Sequence, residues 1–329
     1  MYTMERELMS NKKKKNKKLK RSLLNIFILI CFTAAAFLLY QAVITKLDEK
    51  SSKETYSEIE AIFEQSIKEN PPVQETPSTS PEVSPDPEIT EAPGPSAEPS
   101  QEPSQEPVPT PAPTPSPEPT EVSAADKGIP QLEPLDRSEV LGYFNDLLDV
   151  NEDIRGYIKI PGTNISYPVV QGLDNEFYLE RNIYGKKTIS ASIFMDYRNN
   201  PKDLDDNTII YGHNLNTTMF NDLDYFVDED TRDEYLKVGG TFRMDTAFRV
   251  MEWEIFAAYV IDKDDFNYLV TNFRTEQSHQ AFIDQIYGYS WIDTGIQVDT
   301  NDKILTLSTC NHWFNDSRTV IHARLKTNN

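Results

Sequence analysis

The chain has 329 residues, 22 of them proline and only two cysteine, with a formal net charge of −21. Seventeen of the prolines fall between Pro71 and Pro119, so about 200 residues, Gly128 to Asn329, remain for a packed core, enough for one good domain. The charge is divided unevenly: nine Lys/Arg and two Asp/Glu precede Thr45, whereas 23 basic and 51 acidic residues follow it, a balance of −28. So acidic a body excludes nucleic acid phosphate as a partner and suits a cationic or amine-bearing one.

From Leu23 to Ile44 no residue is charged, a run of 22 residues with only Asn25, Thr33 and Gln41 clearly polar. As a helix it is about 33 Å long, enough for a hydrocarbon core of roughly 30 Å. Lys12 to Lys15, Lys17, Lys18, Lys20 and Arg21 precede it, which places the N-terminus in the cytoplasm and everything beyond Thr45 outside. A cleaved signal peptide, with Ala34 to Ala36 as the cleavage site, is the rival. The apolar run continues past those alanines through Phe37, Leu38 and Leu39, longer than such a peptide needs.

Lys46 to Asn70 is charged, with Tyr56, Ile59, Ile62, Phe63 and Ile67 at helical spacing, and predicts a short helix leaving the membrane. The Pro-rich acidic stretch that follows has too little apolar surface to offset its ordering entropy. It reads as an extended tether that would reach on the order of 150 Å. The resulting division is a basic tail over 1–22, a membrane span over 23–44, an extracytoplasmic charged segment and linker over 45–127, and a folded domain over 128–329.

Asp136-Arg-Ser-Glu139 reads as a variant capping box opening a helix whose apolar face is Val140, Leu141, Phe144, Leu147 and Leu148. Short β-rich runs follow at 156–160, 166–170, 190–197, 207–212, 241–244, 250–261, 303–310 and 318–325. Strands this frequent predict a barrel or sandwich, mostly antiparallel. Thr275 to Tyr289 reads instead as an amphipathic helix inserted before the last two strands.

Two cysteines give no disulfide framework, because Cys31 lies inside the apolar run and cannot meet Cys310. Cys310 ends the strand KILTLSTC and is followed by a polar loop. It is either a small buried hydrophobe or an accessible nucleophile. A nucleophilic thiol needs a cation or base nearby. His213, at the end of NTIIYG, sits at a comparable strand-to-loop boundary, where Gly212 lets the backbone turn. His312 is the second candidate base. His279, on the inserted helix, is expected to face solvent, and His322, within the last strand, to be structural. Arg318 opens the strand after the Cys310 loop, where hairpin geometry makes it a neighbour. Its guanidinium could stabilise a thiolate or an oxyanion. No cluster of side chains has metal-ligand spacing.

TLSTC (306–310), Arg318 and YGHN (211–214) together resemble a sortase. The stretches 153–172, 177–199 and 213–226, and the inserted helix, resemble class B sortases in particular, over essentially all of 136–329. The resemblance implies an eight-stranded β-barrel with N-terminal helices and no cofactor. It implies a cysteine transpeptidase with His213, Cys310 and Arg318 as its triad, and Ser308, Thr309 and Asn311 lining the substrate groove. Its substrates would be surface proteins with a C-terminal sorting signal, cut after threonine. Its acceptor would be an amine of the peptidoglycan cross-bridge or of a pilin lysine. Some class B members carry an acid soon after the cysteine; here Asn311 and His312 stand there and the nearest acid is Asp316. Two other readings remain. An L,D-transpeptidase would place His-Gly directly before the cysteine, where this chain has Ser-Thr. A non-catalytic surface adhesin would tolerate loss of Cys310.

Overall fold

The structure is a computed structural model that describes residues 2–72, 132–215, 217–262, 264–310 and 316–326. The expected tether, 73–131, lies outside the described residues, as do Asn311 and His312. The first helix, α1 (Tyr2–Glu69), runs without a break from the basic tail through the apolar run and on to the barrel. Its apolar stretch reaches a mean hydropathy of 2.4 over 18 residues, none of it buried against protein, so by length and composition it could span a membrane.

The barrel strands come next, and each predicted run supplies one. They are β1 (Ile154–Lys159), β2 (Ser166–Gln171), β3 (Ile193–Met195) and β4 (Asn207–Gly212). A two-stranded hairpin, β5 (Asn214–Leu215) with β6 (Thr218–Met219), leads to a 3-10 turn at Asn221–Phe226. The chain continues through β7 (Thr241–Thr246), β8 (Glu252–Asp262), β9 (Ile304–Cys310) and β10 (Ser317–Leu325). Eight strands close in the order β1-β2-β3-β4-β9-β10-β8-β7. Pairing is antiparallel except for β2 with β3 and β4 with β9. Closure leaves no free sheet edge.

Three helices decorate the barrel: α2 (Asn145–Val150), α3 (Arg232–Gly239) and α4 (Glu276–Tyr289). The inserted helix α4 begins one residue inside the predicted span, because the Thr275 side chain caps it by accepting from Ser278 N. The predicted cap at Asp136 does not open a helix. Asp136 Oδ1 instead accepts from Ser138 N and Oγ in a local turn, and Leu141 N donates to Ala247 O at 2.7 Å. That commitment holds Leu141 extended, and a 3-10 turn starts only at Gly142, followed by α2.

The core reaches further toward the N-terminus than a boundary at 128 allows. Tyr56, Ile59 and Phe63 of α1 are buried in the same cluster as Tyr143, Phe144, Tyr157 and Tyr167. Phe63 stacks on Tyr157 with ring centroids 3.6 Å apart, and Tyr56 meets Tyr167 edge-on at 5.1 Å. Lys159 Nζ reaches Glu60 Oε1 at 3.1 Å and Glu64 Oε1 at 2.6 Å. The helix predicted over 46–70 forms the end of α1, but the face it defines covers the barrel rather than standing free of it.

Candidate active site

The parallel register of β4 and β9 decides which residues meet. Tyr211 pairs with Ser308 and Gly212 with Thr309, so His213 and Cys310 each follow the last pair. Across β9, the antiparallel register sets Arg318 of β10 opposite Cys310. His213, Cys310 and Arg318 therefore occupy neighbouring positions at one end of three adjacent strands. Gly212 is needed just before the histidine. A Cβ there would meet Ile193 Cδ1 at 2.4 Å and the Phe220 ring at 2.8 Å. Glycine lets Phe220, which ends the β5–β6 hairpin, close under the strand.

His213 Nε2 lies 2.7 Å from Leu179 O. A carbonyl only accepts, so Nε2 carries the proton and Nδ1 is left to exchange one. Arg318 Nη1 donates to Ser317 O at 2.9 Å and Asp316 O at 3.2 Å, which fixes the guanidinium against its own turn.

Behind the row lies a shared support that the sequence did not reveal. Asp224, in the 3-10 turn, accepts from Thr319 Oγ1 at 2.6 Å and from Asn214 Nδ2 at 2.8 Å. Asn214 follows His213 and Thr319 follows Arg318, so one carboxylate ties both neighbours together. Asn221 Nδ2 donates to Asn214 Oδ1 at 2.7 Å and orients that amide. No spacing rule points to Asp224, because its partners come from two distant strands.

Ser308 and Thr309 are not open groove walls. Ser308 is 3% exposed and its hydroxyl meets Tyr268 Oη at 3.0 Å. Thr309 is 2% exposed and its Oγ1 has no partner among the described residues. Alternation along a strand sends these two to opposite faces, with Ser308 beneath the loop that carries Tyr268. That loop is clamped from below by Asn207, whose Nδ2 donates to Val270 O at 2.8 Å and Tyr268 O at 3.2 Å. Arg198 adds a bond to Leu269 O at 3.0 Å while its Nε and Nη2 both reach Asp196 at 2.8 Å. Asp196 is fully buried, which alone would raise its pKa; the bonds from Arg198, Asn175 and Tyr211 outweigh burial and hold it below the usual carboxylate range.

His322 is structural, as expected. Thr306 Oγ1 donates to Asn207 Oδ1 at 2.7 Å and accepts from His322 Nδ1 at 2.9 Å, while Tyr259 Oη donates to His322 Nε2 at 2.8 Å. Every hydrogen is placed by a neutral imidazole, and burial pushes its pKa down to about 3. His279 differs from its expected solvent-facing role. It is 4% exposed and stacks on Phe273 with centroids 4.4 Å apart, because the loop before α4 folds back over that helix face. Burial lowers its pKa.

The frame has known relatives. Residues 158–326 match the sortase domain. Sortase B of Listeria monocytogenes is 36% identical over 192 residues, 57% of this chain and 76% of that protein. Sortase B of Staphylococcus aureus is 34% identical over 185 residues, covering 55% and 74%. A solved S. aureus sortase B–substrate complex superposes with a TM-score of 0.53 at 33% identity, covering 58% of this chain and 88% of that one. Sortase B from Bacillus anthracis, solved with the compound AAEK1, gives 0.52 at 34% identity, covering 60% and 90%. A barrel closed this way, with such relatives, defines a cysteine transpeptidase that acts on sorting-signal substrates. The chain belongs to the sortase family, and the members it resembles are sortases of class B. That sets aside the adhesin and the L,D-transpeptidase.

Proposed function

We propose that this chain is a membrane-tethered transpeptidase that cuts a C-terminal sorting signal after threonine and joins the new end to an amine of the cell wall or of a pilin lysine. The supporting observation is the row of His213, Cys310 and Arg318 at one end of β4, β9 and β10. In the first step the Cys310 thiol gives its proton to His213 Nδ1 as its sulfur attacks the threonyl carbonyl. The peptide C–N bond breaks, His213 protonates the departing amine through Nδ1, and a thioester remains. In the second step the acceptor amine attacks the thioester and gives a proton to His213. The new amide forms and the thiolate leaves. Arg318 stabilises the oxyanion of both tetrahedral intermediates.

Tyr268 and Ser308 together fix one rim of the substrate groove. Thr309 is assigned no substrate contact. The Lys-rich segment before α1's apolar run stays in the cytoplasm, the run spans the membrane once, and the barrel lies outside.

The test is mass spectrometry of the protein incubated with a panel of sorting-motif peptides and a free-amine acceptor. Cleavage after threonine with transfer to the amine, both lost in Cys310→Ala, is the expected result. Turnover retained in Cys310→Ala overturns the assignment of the nucleophile.

A further inference from the structure

Because α1 is one uninterrupted helix, heights above the bilayer can be read along it. The last uncharged residue of the apolar run is Ile44. Asp48 stands four residues on, about 6 Å higher at 1.5 Å per residue, and any tilt only lowers it. The headgroup layer is roughly 5–8 Å thick on each side. Asp48 Oδ2 accepts from Ser190 N at 2.8 Å and from Ser190 Oγ at 2.7 Å. About two helical turns further on, Tyr56 Oη donates to Ala191 O at 2.9 Å. The chain segment before Ser190 is thereby pinned at headgroup height.

That segment has the composition of a membrane-contacting tip. Leu179, Tyr184 and Ile189 are 43%, 49% and 41% exposed, and Leu47 of α1 beside them is 59% exposed. Asn182 N donates to Lys186 O and Gly185 N to Asn182 O, forming a tight turn with Gly185 at φ +71°, and Tyr184, Lys186 and Lys187 project from it. Lys46 and Lys50 of α1 add to Lys186 and Lys187. The acids facing them are Asp48, held by Ser190, Glu49, and Glu180, which pairs with Lys187 at 3.4 Å. Arg181 lies over the Phe177 ring at 4.5 Å. With Glu54, which reaches Lys50 at 3.8 Å, five cations against four acids is still a local excess of positive charge in a body whose balance is −28. An aromatic-basic tip fits an anionic lipid surface.

We infer that the turn 179–190 docks on the bilayer surface that α1 leaves, with Tyr184 and Ile189 at the acyl boundary and Lys186 and Lys187 on anionic headgroups. The inference rests on α1 crossing the membrane. It reaches the active site through one bond, since Leu179 O in the docked segment is what holds His213 Nε2. Lys53 Nζ, on the same side of α1, donates to Thr217 Oγ1 of the hairpin after His213 at 2.7 Å. The site end of the barrel therefore faces the lipid, and the β7–β8 turn faces away. At that far end Leu141 bonds Ala247, and the Gly142 Cβ position lies 3.2 Å from Asn70 Cβ. Asn70 is 26 residues beyond Ile44, roughly 39 Å along the helix.

The test uses the full chain in vesicles, with Cys31→Ser and Cys310→Ala so that one introduced thiol carries a fluorophore. Tyr184→Cys reports the tip, Phe37→Cys the span, and Val250→Cys the far end. Spin-labelled lipids, with the label at the headgroup or along the acyl chain, act as quenchers. Quenching at 184 by headgroup labels, at 37 by acyl-chain labels, and at neither depth for 250 is expected. The docked fraction at 184 should be larger with anionic than with neutral lipid. Lys186→Glu with Lys187→Glu should lower the docked-to-undocked ratio roughly five-fold or more per lysine. Quenching at 37 with none at 184 overturns the docking and leaves the span intact. No quenching at 37 overturns the span and the docking with it. Quenching at 184 that ignores both lipid charge and the lysine variants overturns the headgroup contact.

Discussion

Truncation at the α1–barrel seam gives a sharp test of where the folded unit begins. Tyr56, Ile59 and Phe63 are 4%, 0% and 3% exposed. Burying such a side chain is worth about 1.5–3 kcal/mol, so the three contribute roughly 5–9 kcal/mol before discounting for a compact unfolded chain. That is comparable to the about 5–15 kcal/mol by which a whole domain is stable. Removing residues 1–127 would also leave Tyr143, Phe144, Tyr157 and Tyr167 facing water. A fragment of residues 128–329 is therefore expected to melt far below one of residues 45–329, or to aggregate, when both are followed by circular dichroism and light scattering. The point variant Phe63→Ala in 45–329 isolates the seam. It should cost about 3–5 kcal/mol, and at about 2–4 °C per kcal/mol for a body of this size the melting temperature should fall by roughly 6–20 °C. If 128–329 stays monomeric and melts within about 2 °C of 45–329, the packing of α1 contributes nothing and the reasoning fails.

Other outcomes follow from the site. Arg318→Lys should lower kcat/KM roughly ten- to hundred-fold without moving the melting temperature, because a point charge cannot reproduce the planar fork; unaltered kinetics would remove Arg318 from the oxyanion. Asp224→Asn faces one amide NH2 with that of Asn214 and should lower kcat/KM by roughly ten-fold. The exchange Asp224→Asn with Asn214→Asp restores donor to acceptor and should recover most of the loss; a double variant no better than the single one would mean that Asp224 does not position His213 and Arg318. His322 is neutral when folded, with a pKa of about 3 against 6.5 when unfolded, so the unfolded chain binds the extra proton between those values. Stability from this group is complete above pH 6.5 and falls as pH drops, by about 1.4 kcal/mol per unit or roughly 2 kcal/mol by pH 5. Chemical denaturation of His322→Gln at pH 7 and pH 5 should show a smaller acid loss than the parent, with equal losses counting against the assignment.

What could be read from sequence divides along a physical line. Strands and α4 were legible because their signals are local: β-rich runs such as NTIIYG and KILTLSTC broken by turns, and the amphipathic spacing over 275–289. His213, Cys310 and Arg318 were singled out for a related reason. Each stands where an apolar strand turns polar, and parallel pairing of β4 with β9 then brings two strand ends to one edge. Exposure of a helix face is another matter. Tyr56, Ile59 and Phe63 define a stripe by their spacing, but spacing does not say what covers it; a Pro-rich stretch between that stripe and the barrel made them look independent. His279 was misplaced for the same reason, since the loop over it is set by Asn207 and Arg198 from another strand and its approach.

Asp224 sharpens the point. Its sequence neighbourhood, Asn-Asp-Leu-Asp, offers two acids two positions apart with nothing to choose between them. Only the fold distinguishes them: Asp222 accepts from Asn164 N and Nδ2 on the β1–β2 turn, whereas Asp224 accepts from the residues after His213 and Arg318. The first secures a turn, and the second ties the neighbours of His213 and Arg318 together across the barrel end. A chemical group is announced by its residue type, but the register that makes it useful belongs to partners up to a hundred residues away.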